Sequence, residues 1–154
     1  MKAKLFLLAL PAALALGTLA MAGDVQQFCV PANLNSTGRP ATLTCTGTGT
    51  IHLNDTCLNV TNVPRGSAGL FFFSDTPRRP LPFGAGNLCI GGNVHRLPAV
   101  VADPYNSAHL PDLVRQPEAR VIQAGTTWYF QYLFWDHGAG NRNLSNGLQI
   151  DFTQ

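Results

Sequence analysis

Four histidines, His52, His95, His109 and His137, and three carboxylates, Asp103, Asp112 and Asp136, are the side chains of this 154-residue chain that could carry acid–base chemistry. Histidine titrates near neutral pH, and a neighbouring carboxylate fixes its tautomer. His95, His109 and His137 with acidic partners would therefore make a small hydrolase, but their spacing gives that reading no support. No H-E-x-x-H, G-x-S-x-G or G-x-x-x-x-G-K-[ST] motif is present. Asp136 and His137 adjoin, and successive strand residues point to opposite faces instead of forming a pair. The stretch Asp136 to Asn141 has the outline of a calcium loop but supplies few oxygen ligands. Cys29, Cys45, Cys57 and Cys89 lack the close pairing of a zinc site. The expectation is a non-catalytic chain with no cofactor and no metal.

Aromatic side chains offer a different chemistry. Flat rings beside amides and carboxylates make the stacking platforms of carbohydrate-binding sandwiches, and the competing role for any such ring is packing. Trp135, Tyr129 and Tyr105 are the candidate rings, with Gln131 beside Tyr129 on one strand face. The partner this predicts is a glycan or another extracellular protein.

The elements that must position these residues begin after an export signal. Met1-Lys2-Ala3-Lys4 is a basic start, Leu5 to Leu19 is an apolar run, and Ala20-Met21-Ala22 is a small-x-small cleavage pattern. The run is too short and too punctuated to span about 30 Å of hydrocarbon. Residues 1–22 are thus expected to be a signal peptide and 23–154 a single domain, secreted to the cell surface or medium, or retained in a periplasm. Lys2 and Lys4 leave with the signal, so eight arginines face eight acidic residues in the remainder. A chain of zero formal charge without lysine is poorly suited to binding nucleic acid by counterion release. Arg78-Arg79, its one basic doublet, sits among prolines in an expected loop.

Gly, Pro, Asn, Ser and Thr punctuate the domain, and short runs rich in β-branched and aromatic residues lie between them. That pattern predicts an antiparallel β-sandwich, of the immunoglobulin or jelly-roll kind, with about seven to nine strands. The clearest strand is Thr127 to Asp136. Trp128, Phe130, Tyr132 and Phe134 fall on one face and Tyr129, Gln131, Leu133 and Trp135 on the other, so a central strand covered on both sides is expected. Leu148, Ile150 and Phe152 alternate with polar residues in the last strand, which should pair antiparallel with the first across the Gly/Asn-rich connection 137–146. Further strands are expected at 41–47, 56–63, 69–74, 87–91 and 120–123. The stretch 98–117 reads as a loop that hides a short strand around 99–102 and one helical turn near 110–113. Asn35-Ser36-Thr37-Gly38 reads as a hydrogen-bonded turn.

In an oxidising compartment an even cysteine number implies disulfides, and four cysteines allow three connectivities. Cys45 and Cys57 lie on consecutive expected strands, where a bridge would close a hairpin.

Two groups of motifs extend this picture. Phe28-Cys29-Val30-Pro31-Ala32 leads into Asn35-Ser36-Thr37-Gly38. Leu88-Cys89-Ile90-Gly91-Gly92 is followed by Ala124-Gly125-Thr126-Thr127-Trp128-Tyr129-Phe130-Gln131-Tyr132 and by Asn143-Leu144-Ser145-Asn146-Gly147-Leu148-Gln149-Ile150-Asp151-Phe152. Together they resemble a β-rich module found at the C-terminal ends of large exported proteins of environmental bacteria. The resemblance spans nearly all of 23–154. It implies pairing of Cys29 with Cys89, which leaves Cys45 with Cys57, and it implies no catalytic residues. Cys45 and Cys57 depart from the module's pattern. So does Leu133-Phe134-Trp135-Asp136, where the module more often carries an arginine. The reading is an exported module that binds or assembles. A small secreted hydrolase is one alternative. A structural envelope component, betrayed by a flat apolar patch or an open sheet edge, is the other.

Overall fold

The computed structural model describes residues 23–154, so the expected signal peptide at 1–22 lies outside the described residues. Its strands are β1 (Val25–Phe28), β2 (Thr42–Thr46), β3 (Cys57–Thr61), β4 (Ala68–Ser74), β5 (Thr76–Phe83), β6 (Gly86–Gly91), β7 (His95–Val101), β8 (Ser107–Leu110), β9 (Thr127–Asp136), β10 (Asn141–Leu144) and β11 (Gly147–Asp151). The class is the expected antiparallel β-sandwich, with eleven strands where seven to nine were expected.

The aromatic run builds the centre. β9 lies between β11 and β4 in a six-stranded sheet of order β1-β11-β9-β4-β7, with β10 also paired to β9. Its two apolar faces meet two covers, as the alternation predicts. On the inner face Phe130, Tyr132 and Phe134 pack with Phe71 and Phe73 of β4 against Leu43, Leu58 and Val60 of the three-stranded sheet β2-β3-β8. Each fully buried ring contributes roughly 1.5–3 kcal/mol. On the outer face Phe72, Ile90 and Leu144 form a smaller cluster under the β5–β6 hairpin, with Tyr129 and Leu133 packed against it.

β10 and β11 are one strand interrupted by a bulge. Between the pairs Leu144↔Leu133 and Leu148↔Phe130, three residues (Ser145, Asn146 and Gly147) face two (Gln131 and Tyr132). The expected connection 137–146 is therefore a turn only at 137–140; the rest is β10 and the start of this bulge, whose polar residues are needed because a bulge leaves ladder groups unpaired. Ser145 Oγ accepts the Tyr132 N–H at 3.0 Å. Asn146 reaches across to the other sheet, where its Oδ1 accepts the Leu43 N–H (2.7 Å) and its Nδ2 donates to the Leu43 carbonyl (3.1 Å). One side-chain amide thus stands in for a peptide along the free side of β2.

Several expectations need correcting. Residues 120–123 are not a strand: Pro117–Val121 is a 3-10 helix, because Pro117 supplies a pre-set φ at its first turn. The stretch 98–117 holds β8 as well as the end of β7. Arg78-Arg79 lies on a strand instead of in a loop, although the register shifts between Pro77 and Leu81 so that the doublet bulges out of the ladder.

Candidate functional site

The titratable residues are dispersed. His95, on β7, is half-buried at the margin of the aromatic core, where it stacks on Phe73 (ring centroids 5.0 Å) and meets the edge of Trp128 (5.9 Å). His137 follows β9 and meets Trp135 edge-on at 6.5 Å. Phe73 pairs with Phe130 in the β4–β9 ladder, so His95 and His137 sit at levels roughly 20 Å apart along the strands. His52 lies in the loop between β2 and β3, and His109 lies on β8 in the other sheet. The three histidines of the hydrolase alternative do not meet.

His109 does gather polar neighbours. Its Nδ1 is 2.7 Å from Asn59 Oδ1, which also accepts from the Cys57 thiol at 3.5 Å. Its Nε2 is 3.9 Å from Asp103 Oδ2. Asp103, however, is committed to its own turn, accepting the N–H groups of Tyr105 and Ser107 at 2.8 and 2.9 Å. Burial pushes the Cys57 thiol up from its ordinary pKa, the opposite of an activated nucleophile. Among the described residues no three His, Cys, Asp or Glu side chains are grouped to hold a metal. Asp136 is fully buried on the inner side of β9, where its Oδ2 accepts the Ser36 N–H at 2.9 Å.

Of the cysteines, Cys29 and Cys89 are bridged, as the resemblance implies. Cys45 and Cys57 are free, and the expected second bridge is corrected by register. Cys45 pairs with Leu58, and Cys57 pairs with Thr46. Side chains alternate along a strand, so Cys45 points with Leu58 into the core and Cys57 points outward with Asn59. Two thiols on opposite faces of a ribbon cannot meet without a register slip.

The four residues of the expected glycan platform are not assembled into one surface. Gln131 is fully buried and its amide is fully engaged. It accepts the Cys89 N–H (3.0 Å) and donates to the carbonyls of Asn87 (2.7 Å) and Ser145 (2.8 Å), which locks the hairpin to β9 at the bulge. Tyr129 packs into the outer-face cluster, with Phe28 edge-on at 5.7 Å. Tyr105 is 88 % exposed on the turn after β7. Trp135 alone stands open on the sheet, at 42 % exposure.

What surrounds Trp135 was not foreseen. The β5–β6 hairpin covers only part of the outer face, and the rest is an open apolar strip. One hollow of about 220 Å³ runs beside Trp135 over Ala68, Leu70, Ala99 and Leu133, with Arg142 at its rim. A second, of about 170 Å³, is lined by Phe72, Phe83, Leu88, Val94 and Leu144, with Arg96 at its rim. Leu70 and Leu133 line both, so the two form one groove. Exposed Phe83, Val94 and Trp135 flank it. The alternation of β9 places Trp135 and Leu133 on this face from sequence; the gap left by the hairpin depends on how short the cover is, which no local pattern encodes. A crevice of about 380 Å³ by Val30 and Pro40 carries neither ring nor charge, and a cleft of about 330 Å³ by His52 brings Arg115 and Arg120 together.

No family model matches the chain, and neither the curated proteins nor the solved structures contain a match to it. Among the described residues no helix is long and apolar enough to cross a membrane.

Proposed function

We propose that the protein is an exported, non-catalytic binding module whose ligand-contacting surface is the groove beside Trp135. The observation that carries this reading is that the apolar strip is hollowed and ring-lined, where the structural-envelope alternative calls for a flat patch. A sheet face that is covered by a hairpin over one part and left bare over a ring-lined hollow is the arrangement expected of a binding site. The Cys29–Cys89 disulfide supports export, since such bonds persist in oxidising compartments. Dispersal of the histidines supports the non-catalytic half. Assembly through the β7 edge of the six-stranded sheet is the less favoured reading, because β7 carries Pro98, which offers no N–H to an added strand.

Calorimetric titration of the protein with glycans, extended peptides and small amphiphiles tests the reading. Saturable binding of at least one class is expected, with the loss of that binding in Trp135→Ala. Binding that survives Trp135→Ala undiminished, or no binding by any class to folded protein, would sink it.

A further inference from the structure

We infer that the ligand of the Trp135 groove is an amphipathic anion: a single acidic head on an extended aliphatic or aromatic body. This deepens the binding reading above and rests on it. The lining decides the body. Along both hollows the side chains are Leu70, Phe72, Phe83, Leu88, Leu133 and their apolar neighbours, and the groove's charged groups are the guanidinium groups of Arg96 and Arg142. A neutral glycan needs fixed amide or carboxylate hydrogen-bonders beside the ring. Gln131, the amide nearest in sequence to Trp135 on that face, is buried and spends all its bonds on backbone.

The charges decide the head. No aspartate or glutamate lines either hollow. Among the described residues no arginine has a carboxylate within 4.0 Å; the one close acid–base contact is His109 with Asp103. Four of the eight acidic residues are engaged elsewhere as acceptors of backbone N–H and hydroxyl groups: Asp55 for Thr48, Asp103 for Tyr105 and Ser107, Asp136 for Ser36, Asp151 for Thr127. Residues 23–154 carry eight arginines and eight acidic residues, yet their guanidinium groups stay unneutralised, and two of them overhang apolar surface. Arginine next to an apolar wall favours a planar anion with a hydrophobic continuation. Arg96 pairs with Phe72 in the β4–β7 ladder and Arg142 pairs with Trp135 in the β9–β10 ladder, so they stand on opposite sides of the β4–β9 pair. A ligand with its head at Arg96, in the hollow walled by Phe83 and Leu88, lays its body over Leu70 and Leu133 toward Trp135.

The test uses Trp128→Phe protein, in which Trp135 is the remaining tryptophan, and follows its emission during titration with decanoate, decanol and decyltrimethylammonium below micellar concentrations. Decanoate is expected to bind about fivefold more tightly than decanol, the effect of one partly solvated charge pair, and the cation most weakly. Arg96→Gln should erase most of that preference and Arg96→Lys should restore part of it. Arg120→Gln, on the other cleft, should leave it unchanged. Equal affinity for decanoate and decanol would overturn the inference and leave the binding reading intact. Failure of all three amphiphiles to move Trp135 emission, with a glycan or peptide binding through Trp135, would also overturn it. No binding by any class would bring down both.

Discussion

Tyr132 is a side chain whose surroundings favour its ring and penalise its hydroxyl. The ring packs at a tilt against Phe71 (4.6 Å), stacks on Phe134 (6.0 Å) and lies over Gly69, where any Cβ would meet the phenol oxygen. The hydroxyl is buried with no hydrogen-bond partner among the described residues. An unpaired buried hydroxyl is destabilising, so Tyr132→Phe should stabilise the protein by about 1 kcal/mol in urea unfolding at neutral pH. Burial also raises the phenol pKa from 10.0 to about 12. The folded state holds this proton more tightly than the unfolded state does. The contribution is therefore fully present below pH 10 and is lost as pH rises from 10 toward 12. The advantage of Tyr132→Phe should widen over that window. A loss of stability in the variant would show that the hydroxyl has a partner after all.

The free thiols make a second residue-scale prediction. Unfolded, unreduced protein should titrate two thiols with a chromogenic disulfide, and reduced protein four. Burial raises the pKa of both Cys45 and Cys57 from the ordinary 9.0, and each also feels nearby negative charge. In folded protein, alkylation of both should stay slow at pH 8 and accelerate only well above the pH that activates an ordinary thiol. Zero thiols in the unreduced sample would restore the bridge that register argues against.

At the scale of elements, the hairpin β5–β6 is the piece most dependent on its fastenings. Every residue of β5 is exposed, and the hairpin reaches the sheet through Cys89 and Ile90 on β6. Among its fastenings are the Gln131 amide, the Ala85 N–H donated to the Arg142 carbonyl at 2.7 Å, and the Cys29–Cys89 bond, which closes a 60-residue separation. Removing the bond in Cys29→Ser/Cys89→Ser should cost about 4 kcal/mol by loop-closure entropy. Hydrogen exchange should accelerate first at the β6 amides, while β9 keeps its protection. Uniform loss across both would mean that hairpin and sheet open as one unit.

The same hairpin explains what could and could not be read from sequence. β9, β4 and β11 were readable because each carries its own burial pattern: two apolar faces, a Phe run, or strict alternation. β5 was not, because Pro77, Pro80 and Pro82 mark a loop in most settings, and only an edge strand with a bulge can hold them. β8 was hidden for a related reason: four residues between Pro104 and Pro111 show too little periodicity to stand out. Of the site, Trp135 was readable as an exposed ring. Its partnership with Gln131 and Tyr129 was a wrong inference from a right face assignment. All three share the outer face, but the hairpin buries Gln131 and the outer-face cluster half-covers Tyr129, and that cover belongs to tertiary structure.

The whole molecule is polarised along β9. Asp151 pairs with Thr127 at the start of that strand, and the Asp151 N–H donates to the Asp24 carbonyl at 2.9 Å, so both ends of the described chain gather there. Trp135 lies eight residues along β9, roughly 26 Å away at strand rise. The Trp135 end of the groove consequently lies at the far end of β9 from any attachment made through either end. A bulky domain fused after Gln154 should leave acrylamide quenching of Trp135 in Trp128→Phe protein unchanged. The same domain inserted in the Gly138–Gly140 turn, which joins β9 to β10 beside Trp135, should reduce it. The comparison separates polarity from general accessibility, because both fusions add the same mass. If the terminal fusion shields Trp135 as strongly as the insertion does, the chain ends do not lie opposite the groove. A module tethered by its end would then be unable to present that surface outward.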